Sequence, residues 1–293
     1  MRLTIKITHI THGNQGRIQR YLRTLVGLLG ILLVGSQEPA FAQALGASSH
    51  GLGGIRAGMP SMPWAVFGNP AALPDSLSFG LGVTRSFDLK ELNEPAMVFS
   101  LPVRGWRLGV GTATQGWTGF RLWETALSLS SHTPIVQHRT LYYGLRMRWQ
   151  ELLVQQPYQN DHALLVDFGL QWHPHRSLMV GFGYDNMAAA RWHHGNTTLD
   201  RALYTGLRWQ ADPQMAVHLE HQHTPGYARD WISAVEWNHA GVLYLRMGLA
   251  TEPVRWSSGV GVHRRSWQAD LFMRRHRHEV LGWVNGLSVR WKP

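Results

Sequence analysis

The 293-residue chain contains no cysteine, which excludes both a disulfide framework and lipid attachment at a cysteine. It has no apolar run long enough to cross a bilayer as a helix: Leu25 to Val34 falls well short of the roughly 20 residues required. Apolar residues at helical spacing are nearly absent, which argues against a helical bundle. No acid occurs before Glu38, although Arg2, Lys6, Arg17, Arg20 and Arg23 are all basic.

That unbalanced start reads as a leader. A basic segment, a short apolar run and Ala40-Phe41-Ala42 ahead of Gln43 form the pattern of a secretory signal with a small-residue cleavage site, so residues 1–42 are expected to be removed. An N-terminal membrane anchor is the lesser reading, because the apolar run is too short. Export of a cysteine-free chain fits a bacterial envelope. The whole chain carries 28 basic and 18 acidic residues; the leader takes five of the bases and one acid, which leaves a modest basic excess. The remaining arginines are scattered and form no stripe that could track phosphates, so nucleic acid is not an expected partner.

What the sequence does contain is alternation. After residue 75 it breaks into about fourteen segments, each about nine to eleven residues long, the length a tilted strand needs to cross a bilayer. Leu77, Phe79, Leu81 and Val83 share one face of the first, and Ser78, Gly80, Gly82 and Thr84 the other. Leu141, Tyr143, Leu145, Met147 and Trp149 oppose Tyr142, Gly144, Arg146 and Arg148; Leu243, Leu245, Met247 and Leu249 oppose Tyr244, Arg246 and Gly248. A soluble sandwich alternates too, so connection lengths and aromatic placement must separate the two.

Every second connection is mostly short ("PVRG", "HPHRS", "QADPQ", "NHAG", "HRRS"), and those between include long ones ("DLKELNEP", "QELLVQQPYQND", "DNMAAARWHHGNTTLD"). This asymmetry is that of an outer-membrane barrel with both termini on the periplasmic side. "SSHTPIVQHR" is long where a short turn is expected, and "TEPVR" is short where a loop is expected. Trp106, Trp172, Trp209, Trp237, Trp267 and Trp291 all sit where a strand meets a short turn or the C-terminus, and are expected to form an interfacial girdle at one level. The fold expected is therefore all-β, a single transmembrane antiparallel β-barrel of about 14 strands over residues 75–293, preceded by an irregular Gly-, Ser-, Pro- and Met-rich segment at 43–74 lying inside it as a plug.

The stretch "HGLGGIRAGMPSMPWAVFGNPAAL" resembles the N-terminal region of the fatty-acid transporter (FadL-like) superfamily of outer-membrane barrels, in which a Gly-rich segment precedes an Asn-Pro-Ala-Gly-Leu signature just before the first strand. The matching residues are Gly53, Gly54, Phe67, Asn69, Pro70, Ala71 and Leu73, with Ala72 in place of the usual glycine. The short mature chain is similar in size to barrels of the PorV and PorQ type, associated with type IX secretion. The resemblance implies either passage of hydrophobic small molecules or an accessory role in protein secretion, with outer-membrane lipid and either small molecules or secretion-system proteins as partners. A purely structural barrel is the third reading.

With the apolar faces outward, the lumen is expected to hold Arg107, Arg146, Arg148, Arg208, Arg246, Arg274 and Arg290 with Glu124, Asp167, Asp185, Glu220, Glu236 and Asp270. The signs nearly balance, so these groups are expected to tie the walls together rather than to line an ion-selective pore. Histidine is abundant, with 17 in all, and His221 and His223 share a strand face; no third ligand stands at a recognised spacing, so neither a metal nor another cofactor is expected. An enzyme reading would pair His221 with Ser233 on the outer face as base and nucleophile of a lipid hydrolase. With no third group to orient the base it is the weakest reading.

Overall fold

The computed structural model describes residues 44–87, 89–117, 119–136, 139–155, 159–195, 197–275 and 282–293; the expected leader at 1–42 lies outside the described residues. Alternation produces strands β1 (Ser78–Ser86), β2 (Asn93–Val103), β3 (Trp106–Trp117), β4 (Phe120–Val136), β5 (Arg139–Val154), β6 (Asp161–His175) and β7 (Leu178–Asp185). They are followed by β8 (Ala202–Gln210), β9 (Met215–His223), β10 (Asp230–His239), β11 (Leu243–Thr251), β12 (Val254–Arg264), β13 (Trp267–Arg275) and β14 (Trp283–Trp291). Each pairs antiparallel with its sequence neighbours, and β1 closes on β14 from Phe79↔Trp291 to Ser86↔Val284, so the fourteen strands form a barrel with no free edge.

Tight turns gather at one end, at 104–105, 176–177, 211–214, 240–242 and 265–266, together with the start of β1 and the end of β14. The opposite, loop end holds the longest connection, 186–201. Two connections differ from the sequence reading, and a third is as short as it reads. "SSHTPIVQHR" is wall rather than loop, because pairing continues from Ser130↔Gly144 to Pro134↔Thr140 and beyond. "QELLVQQPYQND" is half wall, with β5 running to Val154 and Leu152 opposite Asp161. The loop within "TEPVR" is truly short: the Asp230 carboxylate accepts from the Thr251 and Glu252 N–H groups at 3.0 and 2.9 Å and from Arg255 at 2.6 Å, which pins the turn.

The outer face is apolar, and Leu81, Met97, Leu127, Leu145, Met247 and Leu271 stand exposed on it. Trp106, Trp172, Trp209, Trp237 and Trp267 lie exposed at the turn end, where Trp267 stands opposite Trp291. At the loop end Trp123, Trp149, Trp231 and Trp256 form a second outer ring with Trp283, whose ring meets that of Trp256 edge-on at 5.2 Å. An apolar band between two aromatic rings is the surface a membrane-spanning barrel presents to lipid. Arginine in place of the outward Leu271 should therefore cost about 2 to 4 kcal/mol, and arginine in place of the inward Tyr244 should escape that cost. Urea-unfolding midpoints in lipid vesicles measure the difference; equal penalties would show that the band does not face lipid.

The buried apolar core lies inside the barrel and comes largely from residues 44–77: Leu52, Ile55, Met62, Trp64, Val66 and Leu73 are all enclosed. This inner segment contains helix α1 (Ala47–Gly51) and single 3-10 turns at Pro63–Val66 and Pro70–Ala72. The wall is shaped to receive it. Along the inward faces glycine recurs, and a side chain there would strike the segment: a Cβ on Gly144 would come within 2.7 Å of the Pro70 carbonyl carbon, and one on Gly248 within 2.6 Å of the Gly53 nitrogen. Small residues on the wall thus let backbone lie against backbone.

Candidate functional site

The inner segment is held to the wall at points all round the barrel. In α1, the Ala47 N–H donates to Ser288 Oγ at 3.0 Å and the Gly51 carbonyl accepts from Ser257 Oγ at 3.1 Å. His50 stacks on Phe272 with ring centroids 4.6 Å apart. The chain leaves the helix through Gly53 and Gly54 at φ +84° and +92°, the left-handed region that glycine enters without strain. Their N–H groups return to the carbonyls of His50 and Ser49 at 3.0 and 2.9 Å.

Asn69 and Pro70 fasten the other half. Pro70 fixes φ at the start of a 3-10 turn, Asn69 stays extended before it, and the Asn69 Oδ1 accepts from the Ala71 N–H at 3.1 Å. The Asn69 Nδ2 donates to the carbonyls of Leu170 in β6 and Phe182 in β7 at 3.1 and 3.2 Å, so one amide bridges two strands and the segment. Phe67 and Leu73 pack over the glycine-bearing face of β3, and the Leu73 carbonyl accepts from Arg107 at 3.2 Å. Replacing Asn69-Pro70 by Ala-Ala should loosen this anchor and give a small ionic leak in planar bilayers, with assembly unchanged. A variant as tightly closed as the parent would show that the anchor lies elsewhere.

Most of the expected lumenal charges form two buried networks. Arg146, 1% exposed, donates to Asp167 at 2.6 Å and Asp185 at 2.8 Å, and also to the carbonyls of Gly68 and Val66 at 2.8 and 3.2 Å. Arg148 bonds Asp167 through two nitrogens at 2.6 and 2.9 Å and approaches Glu124 at 3.5 Å. From the inner segment, Arg56 reaches Asp185 at 2.6 Å and lies 3.9 Å over the Tyr204 ring, while Glu220 accepts the N–H groups of Arg56 and Ala57 at 2.8 and 2.7 Å. The second network, nearer the turn end, joins Arg246 to Glu236 at 2.7 Å and to Asp270 at 2.6 Å. Arg208 stands 3.9 Å from Glu236, and Arg290 donates to Gln268 at 3.1 Å. Arg56, Tyr204 and Gln171, which donates to the carbonyls of Ala57 and Met59 at 3.0 and 2.8 Å, escape a sequence reading because each acts through a partner more than a hundred residues away.

Two cavities with no lining residue in common lie beyond this filled middle. The outer one, about 360 Å³, opens toward the loop end between Glu94, Glu124, Leu122, Leu165, Trp192 and Leu199. The inner one, about 310 Å³, opens toward the turn end between Met59, Arg208, Gln210, Asn238, Tyr244 and Arg290. Beside the outer cavity the β2–β3 ladder ends at Ala96↔Ala113, and Glu94, Thr114 and Gln115, which line the cavity, stand beyond its last pair.

The hairpin register corrects the expected pairing of His221 with Ser233. Trp231 stands opposite His221, their rings 4.6 Å apart, and Ser233 stands opposite Leu219. The turn closes through the Tyr227 N–H and the Thr224 carbonyl with Gly226 at φ +89°, which centres the hairpin on Gly226. Among the described residues, no group of three or more metal-ligating side chains is placed to hold an ion.

No family model matches the chain, and no curated protein matches it in sequence. Solved structures do match in fold. A structure titled CymD monoaromatic hydrocarbon channel shares 12% identity over 85% of this chain and 98% of its own, with a TM-score of 0.63. The toluene transporter TbuX of Ralstonia pickettii shares 14% identity over 85% of this chain and 98% of its own, TM-score 0.62. A Pseudomonas aeruginosa FadL homologue shares 11% over 86% and 100%, TM-score 0.50. At these identities the likeness is one of fold.

Proposed function

We propose that the protein is an outer-membrane barrel that passes small hydrophobic molecules while its inner segment, acting as a plug over residues 43–74, keeps the lumen closed to ions. The observation that carries this reading is the pair of separate cavities on either side of a filled, hydrogen-bonded middle. An open porin would need a continuous aqueous path, and a purely structural barrel would need no cavity with apolar walls. The outer cavity receives the molecule from the loop end, and the unpaired stretch of β2 and β3 beside it offers a way through the wall without passage across the charged middle. Two of the fold neighbours, a monoaromatic hydrocarbon channel and a toluene transporter, agree with a small apolar cargo.

Fractionation tests the location: the protein should partition with outer-membrane lipid and migrate differently before and after boiling. Recovery from the soluble periplasm would refute the barrel. An accessory role in type IX secretion, of the PorV and PorQ kind, is the second reading, and the long loop-end connection 186–201 would be its docking surface. Co-purification of secretion components from solubilised envelopes would favour it over transport.

A further inference from the structure

One lumenal acid stands outside both charge networks. Glu94, on β2 where that strand has parted from β3, is 5% exposed, and its Oε2 has no hydrogen-bond partner. Among the described residues no ion pair or side-chain hydrogen bond reaches it. Its neighbours around the outer cavity are otherwise committed. Glu124 accepts from Gln150 at 2.5 Å and faces Arg148 at 3.5 Å, Arg148 is engaged by Asp167, and Asp185 is held by Arg56 and Arg146 at 2.6 and 2.8 Å. Arg274 contributes field at Glu94 without bonding to it.

A carboxyl group taken out of water with no partner is costly, and such sites are completed by a donor from elsewhere. Glu94 is one of the residues that line a cavity whose other walls include Ala113, Leu122, Leu165, Trp192 and Leu199. Its volume, about 360 Å³, suits a molecule with one aromatic ring and a short side chain. A ligand carboxylate would find the lining arginine, Arg148, already taken by Asp167 and Glu124, so a fatty acid is a poor fit.

Resting on the transport reading above, we infer that the outer cavity selects small apolar molecules bearing one hydrogen-bond-donating end, an ammonium or a hydroxyl, and that Glu94 receives that end while Trp192 and the leucines hold the apolar body.

The test is isothermal titration of the purified, folded barrel with four probes on one skeleton: 2-phenylethylamine, 2-phenylethanol, ethylbenzene and 3-phenylpropanoate. The amine should bind about tenfold more tightly than ethylbenzene, as a charge-assisted hydrogen bond would give, with the alcohol between them and the carboxylate weakest. Glu94→Gln, which keeps shape and an acceptor oxygen, should remove the advantage of the amine, retain that of the alcohol and leave ethylbenzene unchanged. The comparison of probes on the unaltered protein does not depend on the variant folding. If ethylbenzene bound as well as the amine, the assignment of ligand class would be wrong and transport of hydrophobic molecules would stand. If none of the four bound, ethylbenzene included, the transport reading itself would fall.

Discussion

Deleting residues 46–64 should turn a closed barrel into an ion-conducting one. The deletion removes α1 and the residues that fill the lumen beside it, including Leu52, Ile55, Met59, Met62 and Trp64. It leaves the anchored turn at Asn69-Pro70 in place against β5 and β6. The wall does not depend on the removed residues, because its backbone hydrogen bonds run strand to strand and close on themselves from β1 to β14. Assembly should therefore survive, with unboiled migration still compact. Water would enter along β9 to β14, where α1 and the chain after it now lie, and would join the two cavities. Planar-bilayer recordings should then show stable conductance steps in the truncated protein and none in the intact one. A truncated barrel that assembles and stays closed would mean that the buried charge networks alone seal the lumen.

Arg146→Met should be the most destabilising single substitution of a lumenal charge, at about 3 kcal/mol. Removing one member of a buried ionic network typically costs about 3 to 5 kcal/mol. Here Asp167 keeps Arg148 and Asp185 keeps Arg56, which softens the loss, but the carbonyls of Val66 and Gly68 lose donors in a place water does not reach. Arg290→Met is the matched control: Arg290 bonds only Gln268 among the side chains described, at the rim of the inner cavity, and its loss should cost about 1 kcal/mol or less. Urea unfolding in vesicles, followed by tryptophan emission, gives both numbers. Equal and small penalties would show that the middle of the lumen is hydrated and that the arginines there are merely solvated.

The wall was legible in the sequence because each strand writes its own two faces. Leu145 and Met147 against Arg146 and Arg148 need no partner to be understood, and neither does the asymmetry of turns and loops. Hairpin register is less local: Gly226 shifts one turn and puts Trp231, not Ser233, beside His221. The second aromatic ring was obscured for a similar reason, since β5 continues past Trp149 through Gln150 to Val154, a stretch that reads as the start of a loop. The filling of the lumen was the least visible part. Gly144, Gly181 and Gly248 look like ordinary small residues on a polar face until a distant backbone is laid against them, and Arg56 in "GGIRAG" carries no sign of its bond to Asp185. Glu94 shows the same limit from the other side, because an acid is recognised as unpaired only after every other partner has been placed.

The central claim, selective passage of small hydrophobic molecules through an otherwise sealed barrel, is tested most directly by measuring two fluxes in one preparation. Vesicles containing the purified protein would be given ethylbenzene, 2-phenylethylamine or a small sugar outside, with membrane conductance recorded in parallel. Because apolar molecules cross plain bilayers unaided, the outer leaflet should be built from lipopolysaccharide, which resists them. The account predicts that the protein speeds entry of the aromatic molecules severalfold over protein-free vesicles, while sugar entry and ionic conductance stay at background. Entry of the aromatic probes no faster than in protein-free vesicles, or an equal rise for the sugar, would contradict it.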